Sequence, residues 1–377
     1  MNTLDLFVTC SEGLEPLIVE ELNELGIAST ASYRGVFVQD SSWETIYKVN
    51  YCSRLASRVL FPLSQFRCYD RNSLYSNGSK IDWCSYIAPK ATFSIDANVH
   101  HPQLRNSLFA AQVLKDAICD QIRSQRRERP NIETRDPDVQ LSLFVHQNNA
   151  TISLDTSGAP LHHRGYRQAT TEAVLRESLA AALLRIAHFE PEDLLCDPCC
   201  GSGTILTEAL LIASKTPPGY LRARWGFMNL PGFDQHDWLK VKAEIDALKT
   251  IPKAKVIGID SDSEAIECTK RNLRAAGFQS YAELIQGDFR TVELKTPPTL
   301  VVTDPPYGKR TGETEELRQL YRSLGNFMKQ KMAKPSRGYI FTGNLELAKE
   351  VGLAASRRYP VDNCGVDSRL LEFPIRA

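Results

Sequence analysis

Three acidic residues, each closing an apolar run, mark where this chain could do chemistry. The octapeptide Asp197-Pro198-Cys199-Cys200-Gly201-Ser202-Gly203-Thr204 lies between an apolar strand pattern and the apolar helix pattern ILTEALLIAS. Glycines 201 and 203 let the backbone turn tightly and admit a ligand close to it. The turn is not a Walker A loop, because no Lys-Ser or Lys-Thr follows at the required spacing, and it is not GxGxxG. Taken alone it is also an ordinary strand-to-helix turn. Asp260 ends the next strand, KVIGID, with Ser261 after it, and a carboxylate there can accept both hydroxyls of a ribose. Asp288, in IQGDF, could accept from an adenine amino group while Phe289 packs on the ring. Acids ending consecutive strands of one parallel sheet converge on the crevice where such sheets bind ligands.

A fourth acid carries the sharper signal. Asp304-Pro305-Pro306-Tyr307-Gly308 follows the buried-type run TLVVT. Pro-Pro-Tyr-Gly is also turn chemistry, but here a buried strand ends directly in an acid, two rigid prolines and an aromatic. An exocyclic amine on a nucleobase is a poor nucleophile, because its lone pair is delocalised into the ring. A carboxylate at Asp304 and the carbonyl of Pro305 could accept both amine protons and favour a tetrahedral nitrogen. Tyr307 offers a stacking face for a base taken out of its helix.

These residues need a scaffold, and the pattern supplies one. From residue 171 onward, strands alternate with helices. A helix over 172–188 precedes the strand 194–198 and the apolar run after Gly203. Then come a strand at 255–260, a helix at 263–276, strands at 282–288 and 299–307, a helix at 314–332 and a strand at 337–343. That alternation predicts βαβ units and a parallel, doubly wound α/β sheet. The closing strand, 370–375, follows a turn-rich stretch and is expected to be antiparallel. The first third reads differently. Strands are expected at 4–9, 35–39, 58–66 and 92–99, with a hairpin of 139–147 and 150–156 around Asn148-Asn149. Helices are expected after an N-cap at Ser11, around Trp43–Asn50, and from Asn106, the last turning Leu108, Ala111, Leu114, Ala117, Ile118 and Ile122 inward. Residues 157–169 hold Gly, Pro and basic side chains without periodicity and read as a linker.

The 377 residues carry 45 Lys plus Arg against 45 Asp plus Glu, so a nucleic-acid partner would have to meet a local basic patch. Arg123, Arg126, Arg127 and Arg129, ending the helix from Asn106, could meet phosphates or simply close a solvated helix end. His162, His163, Arg164 and Arg167 in the linker pose the same choice. Ten cysteines are too sparse for a disulfide scaffold. Cys196 and Cys199 have a C-x-x-C spacing but no second pair, so no metal is expected. No apolar run approaches 18 residues and the N-terminus lacks a secretory pattern, so no membrane partner and a reduced, cytoplasmic setting are expected.

In combination, DPCCGSGT and DPPYG resemble class I S-adenosylmethionine-dependent methyltransferases acting on amino nitrogens of bases. With DLFVTCSEGLEPLIVEEL, ISLDTSGAPLHHRGYR, RARWGF and DPPYGKR, the whole chain resembles the THUMP-containing RNA guanine-N2 methyltransferases, specifically the large-subunit ribosomal RNA methyltransferase L group. The resemblance implies a Rossmann-like methyltransferase domain at 171–377, a ferredoxin-like unit at 1–55, an RNA-binding THUMP domain at 56–156 and a linker at 157–170. It implies S-adenosyl-L-methionine as cofactor. Asp197, Pro198, Cys199, Gly201, Ser202, Gly203 and Thr204 would line its methionine part, Asp260 and Ser261 its ribose, and Asp288 and Phe289 its adenine. Asp304, Pro305, Pro306 and Tyr307 would hold the target base, and Arg123, Arg126, Arg127, Arg164 and Arg167 the RNA. Asp304 stands where the ribosomal group usually has Asn, and either side chain can accept a hydrogen bond. The stretch between Gly203 and Asp260 is longer than one crossover needs, and its aromatic and basic content suggests an insertion near the site. The substrate is then most readily ribosomal RNA, with transfer RNA or adenine in DNA as alternatives, and a non-catalytic RNA-binding protein as a reading of another kind.

Overall fold

A computed structural model describes residues 4–104, 106–171, 174–308, 315–363 and 365–376. The expected starts of the helices at 172 and 314, the Lys309-Arg310 pair and Cys364 lie outside them.

The first 156 residues build one eight-stranded sheet. Its strands are β1 (Leu4–Thr9), β2 (Thr30–Ser32), β3 (Gly35–Ser41), β4 (Arg58–Arg67), β5 (Thr92–His100), β6 (Asn131–Ile132), β7 (Val139–His146) and β8 (Asn149–Asp155). They lie in the order β2-β3-β1-β4-β8-β7-β5-β6. Strand β4 pairs with β1 on one side and β8 on the other, so two strand–helix cycles fuse into a single surface. Helices cover one face. The helix Ser107–Arg126, capped by Asn106, buries Ala110, Val113, Leu114, Ala117, Ile118 and Ile122, whereas Leu108 points to solvent. The helix after β1 begins at Glu15 rather than after Ser11. Its cap is Leu14 with no side-chain hydrogen bond, and Pro16 sits in the first turn, where its missing N–H costs nothing.

The second sheet contains β9 (Leu194–Asp197), β10 (Lys255–Asp260), β11 (Ala282–Gln286), β12 (Leu300–Thr303), β13 (Ser336–Thr342), β14 (Arg357–Asn363) and β15 (Val366–Ile375), in the order β11-β10-β9-β12-β13-β15-β14. The first five are parallel, and β15 runs antiparallel to both neighbours. Both faces are covered. Leu195, Val256, Leu300, Val302, Tyr339 and Phe341 pack into one core, while Cys196, Ile257, Val301 and Ile340 pack into another. Double burial explains why these strands are apolar throughout instead of alternating. The strand order reverses at β9, the position that opens a crevice at the carboxyl edge of an open α/β sheet.

Two expectations fail here for the same reason. Residues 157–169 are no loose linker: Ser157, Leu161, Arg164 and Tyr166 are all buried. The stretch between Gly203 and Asp260 is not an insertion beside the site. Its Trp225, Phe227 and Trp238 are buried against Tyr47 and Tyr51 of the helix Trp43–Cys52, with Tyr47–Phe227 ring centroids 5.1 Å apart and Tyr51–Trp238 5.4 Å. Both segments join the front sheet to the rear one through a continuous apolar core.

Candidate active site

Register brings the acids to one edge. Asp197 pairs with Gly258, and Asp260 with Gln286, so Asp197, Asp260 and Asp288 leave β9, β10 and β11 at the same end of the sheet, as does Asp304 from β12. The loop after β9 is held from three sides. The Cys200 N–H donates to the Ile259 carbonyl at 3.0 Å, and the Gly201 N–H donates to Asp260 Oδ2 at 2.9 Å. Thr269 Oγ1 donates to the Gly201 carbonyl at 2.8 Å. Gly203 adopts φ +75°, and a Cβ there would lie 2.6 Å from the Thr269 methyl, so both the conformation and the close approach demand glycine. The helix Thr204–Ala213 starts at this turn, aiming its N-terminal amides at the crevice. Among the described residues a Cβ on Gly201 would meet only Thr171, 3.9 Å away.

Sequence reasoning missed Asn272 and misread Arg167. Asn272 is fully buried in the helix Ser263–Ala275. It accepts from the Gln168 and Ala169 N–H groups and donates to the Ala169 and Ser202 carbonyls, at 2.8–3.1 Å. Arg167 donates to Glu177 (2.8 Å), Ser202 Oγ (3.1 Å), Thr204 Oγ1 (3.0 Å) and the Leu175 carbonyl (3.0 Å). Together they clamp residues 167–169 to the glycine loop. A polar residue on the inward stripe Ala265, Ile266, Thr269, Asn272, Leu273 was the signal for Asn272.

Two further basic residues expected at RNA are spent inside the protein. Arg164 is 1 % exposed, facing Glu208 and donating to the carbonyls of Leu161 and Arg54, while Tyr166 donates to the same Glu208 carboxylate. Arg126 donates to the carbonyls of Ile87 and Cys84. Arg123 pairs with Asp120 at the surface, and Arg127 and Arg129 are exposed. Burial, with His163 and the neighbouring arginines, pushes His162 down to about 3, so it is neutral at physiological pH and cannot add positive charge.

The acids differ in environment. Asp197 is buried and pushed up to about 7, chiefly by loss of solvent, against the Thr303 hydroxyl and the Cys199 N–H, with the Asp260 carboxylate adding repulsion. Among the described residues no cation acts on it. Asp288 is held below its ordinary value by Arg290, whose guanidinium grips both carboxylate oxygens. Phe289 is buried, its ring edge-on to Phe327 at 5.8 Å, and so packs into the core rather than presenting a free face. Pro198, Ser202 and Thr204 are buried, and Ser261 is exposed beside Asp260. The cysteines at 196, 199 and 200 are free thiols raised well above their ordinary values by burial. Among the described residues no cluster of three His, Cys, Asp or Glu is arranged to hold a metal ion.

Beyond β12, Pro305 is buried and Pro306 exposed. The Tyr307 ring packs on Gly343, where an added Cβ would come within 3.0 Å of it, and its hydroxyl accepts from Asn363 Nδ2 at 3.2 Å. The half-buried ring is therefore oriented by the ends of β13 and β14. A rigid acid-proline-proline-aromatic segment thus stands next in strand order to the glycine loop.

Residues 164–372 match the RMKL-like methyltransferase domain family. The chain belongs to this family. Ahead of that domain, residues 5–60 match the RlmL ferredoxin-like domain and residues 68–155 the THUMP domain. A Synechocystis sp. protein provisionally named an RNA methyltransferase is 36 % identical over 99 % of this chain and 97 % of its own. The ribosomal RNA large subunit methyltransferase K/L of Syntrophotalea carbinolica is 36 % identical over 99 % of this chain but 54 % of its own, so the chain spans about half the length of that relative. A provisionally named methyltransferase solved with S-adenosylhomocysteine is 24 % identical and shares the fold with a TM-score of 0.88 over 100 % of both chains. The RMKL-like methyltransferase reading agrees with the class I α/β architecture and its ferredoxin-like and THUMP front, and the methyl donor of this fold is S-adenosylmethionine. Among the described residues no helix is long and apolar enough to cross a membrane.

Proposed function

We propose that this RMKL-like methyltransferase moves the methyl group of S-adenosylmethionine to the exocyclic N2 of a guanine in large-subunit ribosomal RNA, in the cytoplasm. We also read residues 1–156 as its RNA-capturing part. The observation that carries the reading is the rigid Asp304–Tyr307 segment beside an acid-lined glycine turn, on a chain whose front matches THUMP.

The residues fit the cofactor. Asp197 is a buried acid that no cation among the described residues compensates, and Asp260 adds negative charge, an environment that favours a cationic guest such as a sulfonium. Among the described residues, only Thr171 comes within 4 Å of a Cβ on Gly201, which leaves the backbone there approachable by that guest. When bound, the cofactor supplies an electrophilic methyl group. Asp260 already accepts from the Gly201 and Asp262 N–H groups and keeps outward lone pairs for ribose hydroxyls. Asp288 can accept from the adenine amine with the lone pairs that Arg290 leaves free. At the acceptor side, Asp304 and the Pro305 carbonyl draw the two amine protons toward themselves, freeing the nitrogen lone pair. Tyr307, fixed by Asn363, holds the purine plane. Catalysis here is mostly positioning of nitrogen against carbon.

Incubating the protein with methyl-labelled cofactor and ribosomal RNA, transfer RNA or duplex DNA, then digesting to nucleosides, tests this. Labelled N2-methylguanosine from ribosomal RNA is expected. Asp304→Ala should lose roughly a hundredfold or more in turnover while binding the cofactor as before. Label in N6-methyladenosine, or undiminished transfer by Asp304→Ala, would refute the reading.

A further inference from the structure

The helices cover one face of the eight-stranded front sheet and leave the other open. Along β5 and β7 the residues Asp96, Asn98, His100, Phe144 and His146 are exposed, while the residues between them turn toward the helices. The open face hollows into a depression of about 760 Å³. Its lining mixes apolar side chains, Phe7, Leu60 and Pro62 among them, with polar ones, and carries little net charge. Ser142, Thr151 and Ser153 line the depression, and Arg58 is matched by Asp155 and Asp96.

Aromatic rings stand on this floor at two stations. At one, Phe37 is 39 % exposed and packs on Phe7 with centroids 4.9 Å apart. At the other, Phe144 is 38 % exposed and lies parallel to His146, 6.3 Å away and tilted by 4°. Strands β1, β4 and β8 lie between β3, which carries Phe37, and β7, so the stations are about four strand spacings, roughly 19 Å, apart across the sheet. The two exposed ring stations thus flank the hydroxyls of Ser142, Thr151 and Ser153 on one face of the sheet. Exposed rings over polar hydrogen-bonding groups suit unpaired bases, which bring a flat π-face and polar edges.

The rim of the depression leads to the active site. Arg34 lines it and reaches Asp362 of β14 at 4.0 Å, and the next residue, Asn363, is the one that orients Tyr307. One surface therefore runs from the aromatic stations across the β14–β15 hairpin to the residue that would hold the target base.

We infer that this open face is a binding site for unpaired nucleotides of the substrate RNA, one base resting at Phe37 and another at Phe144 and His146, on a strand that continues over Arg34 toward Tyr307. This rests on the RNA-methylating reading. Because the lining carries little net charge, the site adds affinity mainly by stacking and changes the salt dependence of binding little.

The test uses the full chain, a fluorescein-labelled, unstructured single-stranded RNA 10-mer and the corresponding RNA duplex, at one fixed salt concentration. Phe37→Ala and Phe144→Ala should each weaken the single strand about tenfold, a loss typical of one stacked base, and leave the duplex unchanged. Phe144→Trp should restore binding, which separates stacking from folding, and all three variants should bind S-adenosylmethionine like the wild type. Should the wild type bind and methylate RNA while both alanine variants bind the single strand equally well, the open face is not the site and the methylation reading survives. Should benzoylphenylalanine placed at Tyr33, an exposed residue lining the same depression, crosslink only to polypeptide in a lysate, with RNA binding unaffected, the face is a protein-docking surface and the inference fails. Failure of the wild type to bind or methylate any RNA would overturn both.

Discussion

The charge state of Asp197 gives the most direct handle on the site. Its carboxyl is fully buried and moves from an ordinary 3.8 to about 7, with loss of solvent as the main cause. A group whose folded value exceeds its unfolded one favours the fold while protonated in both states. That advantage is complete below pH ~4 and fades as the pH rises to about 7. The difference corresponds to about 4 kcal/mol, an upper bound because some water enters buried sites. Wild-type protein free of cofactor should therefore lose stability across this window, and Asp197→Asn should not. The amide oxygen can still accept from the Cys199 N–H, 3.1 Å away in the wild type, so the loop geometry survives the change. The measurement is the urea midpoint of variant and wild type at intervals from pH 4 to pH 8. Asp197→Asn should become the more stable of the two by pH 8. Binding of a cationic cofactor should also expel the proton: titration calorimetry of the wild type at pH 6.5 in buffers of different ionisation heat should register proton release, absent in the variant. A stability difference that stays constant across the window would show that Asp197 is ionised throughout and that the reasoning is wrong.

Two further substitutions probe the scaffold. Gly203→Ala places a Cβ 2.6 Å from the Thr269 methyl at φ +75°, so the loop must move; cofactor affinity by calorimetry should fall at least about tenfold, with a lower melting temperature. Arg164→Met removes the nearer of two guanidinium groups acting on the buried Glu208, the other being Arg54, which should cost up to about 3–5 kcal/mol of stability; the salt dependence of RNA binding should not change, because Arg164 is buried and cannot meet a phosphate.

The acids and the glycine turn were legible because they sit at strand ends, and an apolar run stopping at a carboxylate is a local signal. The parallel sheet was legible for the same reason, since its strands are apolar on both faces. What could not be read depends on distant partners. Whether an arginine meets solvent or a buried carboxylate is decided for Arg164 by Glu208, 44 residues on, and by a carbonyl of Arg54, 110 residues back. The helix Arg71–Gly78 was invisible because its serines and asparagines weaken the periodic signal, although Asp70 and Ser73 form a capping box. Strand β14, RRYPVDN, was missed because an edge strand tolerates proline and polar residues. The expected hairpin at 139–156 formed, with its turn one residue early, at Gln147 in the left-handed region.

The join between front and rear sheets changes what the linker region does. A flexible connection would let the RNA-binding front sample many positions, and the target base would be found by diffusion on a tether. Here the apolar core that begins with Leu6 and Ile18 continues through Tyr51, Trp225 and Trp238 to Leu206 and Val302. The segment 157–169 threads this core instead of skirting it, with Arg164 and Tyr166 converging on Glu208 and Arg167 reaching the glycine turn itself. Domain pairs that move independently meet through smaller, more polar contacts. A front end welded on in this way fixes the spacing between whatever RNA it grips and the crevice at Asp304. On the proposed RNA-methylating reading, the target nucleotide would then be selected by the shape of the RNA between two fixed points, with little need to read the bases next to it.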